Sequence, residues 1–365
     1  MNFPRAKAPG HRKTAPASQT GVALVIAMLV FAIAAALLVR MQRDFDLNYR
    51  RAANAFVAEQ SWSYLRGAEE LAFVALRLDY EADTAAELTR DDLSEFWAQP
   101  STPYPLDEGG WLMGELTDLQ GRFNVNSLSA PPLTGQGTAA YDAPKATFIR
   151  LLQALEGVQV DEFEAVRITE SVADWLDQDD EPRLNGAESS FYVSQTPSYR
   201  PGNGPMTSAS ELRAVANMRP EVYLALRPHV TVWPLDGSGI NIHTATLPVL
   251  RSMNLDGSLR PLSSEAGQSL LEARAEGGFE NLEEVLQLPA FAGAQEDERA
   301  RMNALLTEAS SFFLLTSRVE IADREQRMYS VLRRQARNIN VLQRENASLY
   351  DLASAPPLPT SEPAP

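Results

Sequence analysis

Four acidic residues in the middle of the chain have the spacing of a cation-binding loop. Asp177, Asp179, Glu181 and Glu188 fall at positions 1, 3, 5 and 12 of a twelve-residue window. An EF-hand loop gathers oxygen ligands around calcium with that spacing. Position 6 is Pro182, where an EF-hand needs glycine for its sharp turn. A true EF-hand is therefore not expected, while a calcium loop using the same carboxylates and a solvated acidic loop both stay open. Carboxylates this dense repel one another. A hard cation relieves the repulsion and fixes a loop with little apolar content of its own. Asp177, Asp179 and Glu188 are the leading ligand candidates, with Asn203 as an oxygen donor from the far side and Glu181 as a further carboxylate. The competing reading is a solvated acidic loop, in which Asp180 and Glu181 simply face water.

Composition removes most other chemistry. The chain has no cysteine, which excludes disulfides, thiolate metal sites, cysteine nucleophiles and iron–sulfur clusters. Its three histidines, His11, His229 and His243, are too few for a His-rich zinc site. With 32 basic and 48 acidic residues the net charge is −16, so repulsion from phosphate opposes a nucleic-acid partner. Ile240-Asn-Ile-His-Thr-Ala resembles half of a helix-hairpin-helix, a module that sets backbone amides on phosphate, but it carries no basic stripe. Asp177 and Glu188 are also the pair a carboxylate hydrolase would use as acid and base. No GxSxG or HExxH motif accompanies them, and no enzymatic activity is expected.

The elements that position this loop begin at a membrane. Residues 22–39, VALVIAMLVFAIAAALLV, are 18 consecutive residues without a charged or polar side chain, long enough to cross a bilayer at the short end of the range. Arg5, Lys7, Arg12 and Lys13 precede the span, which predicts a cytoplasmic N-terminus and a body on the far side. No small-residue cleavage site follows the run, which ends LLVRMQRDF. Instead Gly21 stands immediately before Val22. A basic leader, a glycine and an apolar helix resemble a type IV prepilin leader. That resemblance implies cleavage between Gly21 and Val22 by a prepilin peptidase, with methylation of the new amino terminus. Phe45, Tyr49, Ala52 and Phe56 continue the helix at spacings of four, three and four, and Trp62, Leu65, Leu71, Ala72 and Leu76 carry its apolar face to about residue 78. A helix over 22–78 would run roughly 80 Å, its first half in lipid and its second half packed on a globular head, as in a pilin or pseudopilin. Most pilins carry glutamate at the fifth residue after the cleavage; here it is Ile26. A carboxylate in lipid is costly unless paired, so an apolar residue suits a subunit with no neighbour above it. Ile26 is equally what any lipid-facing position would carry. A plain membrane-anchored calcium-binding protein unrelated to pili is the alternative.

Beyond the helix, residues 79–128 read as a loop or short helix followed by two strands around a turn at Gln120-Gly121. Residues 129–143 are a Pro/Gly/Ser/Ala linker. Helical periodicity then occupies 145–156 and 161–176, an acidic loop runs from 177 to 206, and helices return at 208–218 and 220–227. Val230 to Trp233 alternates like a strand. Short helices fill 239–290, where Asn281-Leu-Glu-Glu has the outline of a capping box. Strands occupy 312–342, and the tail over 346–365 has a disordered composition.

Several of these pieces together resemble one family. They are Asp174-Trp-Leu-Asp-Gln-Asp-Asp, Asn185-Gly-Ala-Glu188, Tyr192, Tyr199, Asn203, Pro205-Met206, Ser210-Glu-Leu212 and Gly239-Ile-Asn-Ile-His-Thr-Ala-Thr. The last has His243 where the family element has a second asparagine. The pattern is similar to the K-type minor pseudopilins of the type II secretion pathway, from Gly21 to about residue 342, and the missing glutamate at Ile26 also fits them. The resemblance implies an α+β pseudopilin fold: a long N-terminal transmembrane helix, a small antiparallel sheet, and a large inserted α-helical domain over 129–310 that contains the acidic loop (174–206) and a helical subdomain (239–290). The sheet would close with strands over 311–345. It also implies calcium in that domain and a single-pass protein of the bacterial inner membrane with a periplasmic head. The protein would stand at the tip of a short pseudopilus and help to start its assembly. The implied partners are the I- and J-type minor pseudopilins, and further the H-type and the major pseudopilin. No nucleic acid is among them.

Overall fold

A computed structural model describes residues 20–107, 109–129, 141–275, 278–291 and 294–346. The leader before Thr20, most of the 129–143 linker and the tail from 347 lie outside the described residues. The chain divides into two compact units, one ending at Gln60 and one beginning at Ser61.

Helix α1 spans Thr20–Ala86. Nothing in this stretch breaks it, because the first proline after Gly21 is Pro100. In the first unit its apolar side chains, Val22 to Val39 among them, are exposed, and the helix is long and apolar enough to cross a membrane. In the second unit Ser61, Leu65, Ala68, Glu69, Ala72, Leu76 and Asp79 are buried, at the three- and four-residue spacing of one helix face. Trp62 and Leu71, expected on that face, are exposed. The helix also runs eight residues beyond the expected end at 78. Asp79 continues the buried face because its carboxylate meets Arg334, a partner that local sequence does not reveal. The helix stops at Glu87, whose φ is 56°.

The remaining elements follow in chain order. A 3-10 turn at Phe96–Ala98 precedes β1 (Tyr104–Pro105), β2 (Trp111–Asp118) and β3 (Phe123–Asn124). Next come α2 (Ala143–Ala154), α3 (Glu162–Leu176), α4 (Ser189–Val193) and α5 (Pro220–Leu226), then β4 (Val230–Thr231) and β5 (Ile240–Asn241). Helices α6 (Leu247–Arg251), α7 (Ser264–Arg274), α8 (Leu282–Gln287) and α9 (Glu296–Asn303) lead to β6 (Leu306–Thr307), β7 (Phe312–Ile321), β8 (Arg324–Gln335) and β9 (Asn338–Glu345). Local signals explain several starts. Asp142 caps α2 by accepting from the Lys145 amide, and Asp161 caps α3 by accepting from that of Glu164. Asn281 caps α8, although Glu284 reaches back to the amide of Glu280 instead of completing the expected box.

The antiparallel sheet has the order β1-β2-β7-β8-β9. One face, through Phe313, Leu315 and Leu332, packs with Ala72 and Leu76 of α1 and with Trp97. The alternate residues Phe312, Leu314, Tyr329 and Val331 belong to the large helical core, as a sheet buried on both sides requires. Strands β2 and β3 flank the expected turn but do not pair with each other. Instead β3 pairs in parallel with β4, and β5 in parallel with β6. Each short parallel bridge closes the neck of one helical lobe, residues 125–229 and 242–305. A buried network joins the β5–β6 neck to the sheet. Asn241 donates to the Asp91 carbonyl, Asp118 and Ser310, while Thr244 and Ser310 donate to Asp118. Burial raises the Asp118 pKa against the hydrogen bonds that favour its charge. The chain turns tightly at Gly121, where a Cβ would lie 2.5 Å from Thr244 Oγ1.

Candidate metal centre

The acidic centre forms where α3 ends and α4 begins. Glu170, Asp174 and Asp177 follow one another at spacings of four and three, so they share a face of α3 and its C-cap. Asp174 and Glu170 are buried and Asp177 is half-buried. Glu188, at the N-cap of α4, is 2% exposed and makes no side-chain capping bond. One carboxylate oxygen from each of Asp174, Asp177 and Glu188 lies within 4.8 Å of the others.

The hydrogen bonding of this trio is incomplete. Both oxygens of Glu188 and Oδ1 of Asp177 are buried without a hydrogen-bond partner. Buried oxygens are costly when left unpaired, and oxygens of this kind are the ligands a hard cation takes. Arg183 supplies a direct counter-charge, with Nη1 2.5 Å from both Asp174 Oδ1 and Asp177 Oδ2. Burial works against the Arg183 charge, but the bonds to the two aspartates outweigh it and hold its pKa above the ordinary value. Burial likewise raises the pKa of Asp174 and of Asp177, opposed by Arg183. Glu188 is pushed up to about 7, first by burial and then by the charges of Asp174 and Asp177.

The surrounding chain fixes this geometry. Glu170 accepts from the amide of Asn185 at 2.6 Å and from Tyr141 at 3.0 Å, which pins the returning loop to α3. Gly186 passes so close that a Cβ would lie 2.0 Å from Asp174 Oδ2. Gly202, the residue before Asn203, rests against the indole of Trp175.

Of the residues expected from sequence, the structure brings Asp177 and Glu188 together and leaves Asp179 and Glu181 outside. Asp179 and Glu181 are exposed, and Asp179 accepts from the Glu181 amide at 2.9 Å in a local turn. The twelve-residue spacing therefore does not describe the centre, because Pro182 and the exposed loop carry positions 3 and 5 into solvent. Asp174 takes their place. Its signal was the three- and four-residue recurrence of acids along α3, which the loop spacing concealed. Asn203, with backbone φ 43°, has a buried Oδ1 without a hydrogen-bond partner. Gly21, Val22 and Ile26 lie in the first turns of α1, and Val22 and Ile26 are exposed.

A second acidic group, Asp79, Asp83, Asp91 and Glu95, differs in kind. Arg334 pairs with both Asp79 and Asp91. Burial, then the neighbouring aspartates, push Glu95 up to about 9, so it is protonated at neutral pH.

Two family models for the type II secretion system protein K match the chain, over residues 121–235 and 240–307. These ranges coincide with the two lobes closed by the parallel bridges. Type II secretion system protein K of Pseudomonas aeruginosa is 32% identical over 324 residues, covering 87% of this chain and 89% of that protein. The corresponding protein of Aeromonas hydrophila is 30% identical over 318 residues, covering 86% of this chain and 92% of its own.

The chain belongs to the type II secretion system protein K family.

A chain in the crystal structure of the GspK-GspI-GspJ complex from enterotoxigenic Escherichia coli superposes with a TM-score of 0.70 at 25% identity, covering 82% of this chain and 99% of that one. As a protein K, the chain has the α+β pseudopilin fold and is a membrane-anchored minor pseudopilin of type II secretion. This overturns the alternative of a membrane protein unrelated to pili.

Proposed function

We propose that this protein K caps the tip of the pseudopilus together with I- and J-type minor pseudopilins, and that calcium in the acidic centre orders its inserted domain. The observation that carries the tip assignment is the superposition on a chain of the GspK-GspI-GspJ complex over nearly all of that chain. The helix agrees with it. While one face of α1 packs on the head, Leu71, Val74 and Leu78 leave a second apolar stripe exposed at helical spacing, suited to the helix of another subunit. The H-type and major pseudopilins are the next partners along the fibre. The chain is held in the inner membrane with its N-terminus in the cytoplasm, as the basic residues before the span direct, and a prepilin peptidase cuts between Gly21 and Val22. Ile26 replaces the glutamate that would need a neighbour above it.

Asp174, Asp177 and Glu188 would hold the calcium, with Asn203 as a further oxygen. Bound there, calcium would supply the positive charge to offset three converging carboxylates, which come from the end of α3 and the start of α4. The residues themselves supply the cage: α3 aligns two carboxylates, Gly186 admits the returning chain, and Glu188 closes the far side.

Co-expression with the I- and J-type pseudopilins of the same system, followed by purification on a tag carried by the J-type subunit, tests the tip assignment. The K-type chain should co-purify stoichiometrically, and a strain lacking it should regain secretion when it is restored. A K-type chain that folds but neither co-purifies nor restores secretion would refute the assignment.

A further inference from the structure

The geometry points to Arg183 as the residue that sets the cation affinity and charge selectivity of the acidic centre, an inference that rests on the calcium assignment above. Arg183 comes from the centre's own loop, and its side chain is 10% exposed. Its Nη1 bridges Asp174 Oδ1 and Asp177 Oδ2, and its backbone amide donates to Asp174 Oδ2 at 3.2 Å. The opposite side is Glu188, with both oxygens buried and unpartnered. Asp177 faces both ways, with Oδ2 on the guanidinium and Oδ1 buried without a partner. The centre therefore has a side that is already compensated and a side that is open.

Charge decides what the open side accepts. When all three carboxylates are ionised, as a bound cation requires, they and one guanidinium leave two net negative charges, the charge a divalent cation neutralises. Without Arg183 the same oxygens would carry three. Lys145, paired with Asp142 at 2.8 Å, adds only a weaker positive influence on Asp177, ranked below that of Arg183. Arginine keeps its proton at any pH the protein meets, so this offset is permanent. The affinity of oxygen-ligand calcium sites follows the charge count of their ligands, and attraction between close charges is strong where water is excluded. Arg183 thus weakens cation binding, disfavours trivalent ions, and keeps Asp174 and Asp177 from repelling each other. A residue that only oriented the aspartates would act in the opposite direction, because its removal would loosen the ligands and weaken binding.

The test uses the full-length chain in detergent after treatment with a chelator. Calcium affinity is read by isothermal titration, and terbium binding by luminescence sensitised through Trp175. Arg183→Gln should bind calcium roughly tenfold tighter or more, gain still more for terbium, and melt earlier in chelator, so that its calcium-induced melting shift widens. Arg183→Lys, which keeps the charge, should stay within about threefold of the wild type. Equal or weaker calcium binding by a natively folded Arg183→Gln chain would overturn the inference. So would a chain that stays unfolded with calcium present, since the cation should then replace the lost charge. Failure of the wild type itself to bind calcium would instead remove the calcium assignment, and the inference with it.

Discussion

Replacing Arg334 by methionine should loosen the junction between α1 and the sheet. Arg334 is 7% exposed. Its Nη1 donates to Asp79 Oδ2 at 2.8 Å, its Nη2 donates to Asp91 and to the Ser310 carbonyl, and its guanidinium lies 4.9 Å from the centre of the Phe313 ring. It therefore holds the end of α1, the segment after it and β8 at one point. Removing one partner of a buried ion pair costs about 3–5 kcal/mol, because the other charge stays buried. Asp79, already raised to about 6 mainly by burial, would take up a proton and keep the loss toward the lower end. Unfolding entropy of about 2.1 cal/mol/K per residue gives about 0.6 kcal/mol/K for a unit of roughly 300 residues, so the melting temperature should fall by about 5–8 °C. Circular dichroism melts of the full-length protein in detergent measure this. In the Arg334→Met background, Asp79→Asn should cost less than it does in the wild type, since the carboxylate it removes has lost its partner. A melting temperature within about 2 °C of the wild type would refute the reasoning.

Three further outcomes are expected. Gly186→Ala, whose Cβ would meet Asp174 Oδ2 at 2.0 Å, should cost about 1–3 kcal/mol in stability and weaken calcium binding, and unchanged affinity in titration would contradict the packing argument. His243 accepts the Phe279 amide through Nδ1 and is lowered from 6.5 to about 4, first by burial. The unfolded chain therefore binds the proton more readily, and stability present above pH 6.5 is lost as the pH falls toward 4, by up to about 3 kcal/mol for this group. His243→Asn should flatten denaturation midpoints over that window relative to the wild type, and identical pH profiles would count against it. Gly21→Val should leave the leader attached, as seen by intact mass and N-terminal sequencing, and normal processing would remove the prepilin assignment.

What the sequence displays depends on how local the cause is. Helix α3 is visible because its apolar positions recur at helical spacing. The inserted domain is visible because a long helical stretch separates the first strand pair from the strands that begin near residue 312. The last turns of α1 were hidden because Asp79 is buried by Arg334, 255 residues away. The parallel pairings of β3 with β4 and of β5 with β6 were hidden because two-residue strands carry no alternation. The turn between β7 and β8 uses Ala322 and Asp323, at φ 51° and 59°, without the Asn-Gly pair that usually announces such a hairpin. At the acidic centre, Asp177 and Glu188 were legible from loop spacing. Asp174 was not, because it belongs to the periodicity of the helix that precedes the loop. Arg183 was missed because an arginine among acids reads as a surface charge until its burial is known.

Calcium titration of the chelator-treated full-length protein, with a few single variants, tests the central claim most directly. The wild type should take up calcium and gain about 2.7 kcal/mol of stability at a hundredfold excess over Kd, with magnesium a poor substitute because it demands tighter octahedral geometry. Asp174→Ala, Asp177→Ala and Glu188→Ala should each abolish or strongly weaken uptake. Asp179→Ala, on the exposed loop, and Asp297→Ala, an exposed residue paired with Arg301, should bind as the wild type does. A well-folded wild type that takes up no calcium, or an Asp179→Ala loss as large as that of Glu188→Ala, would contradict the account.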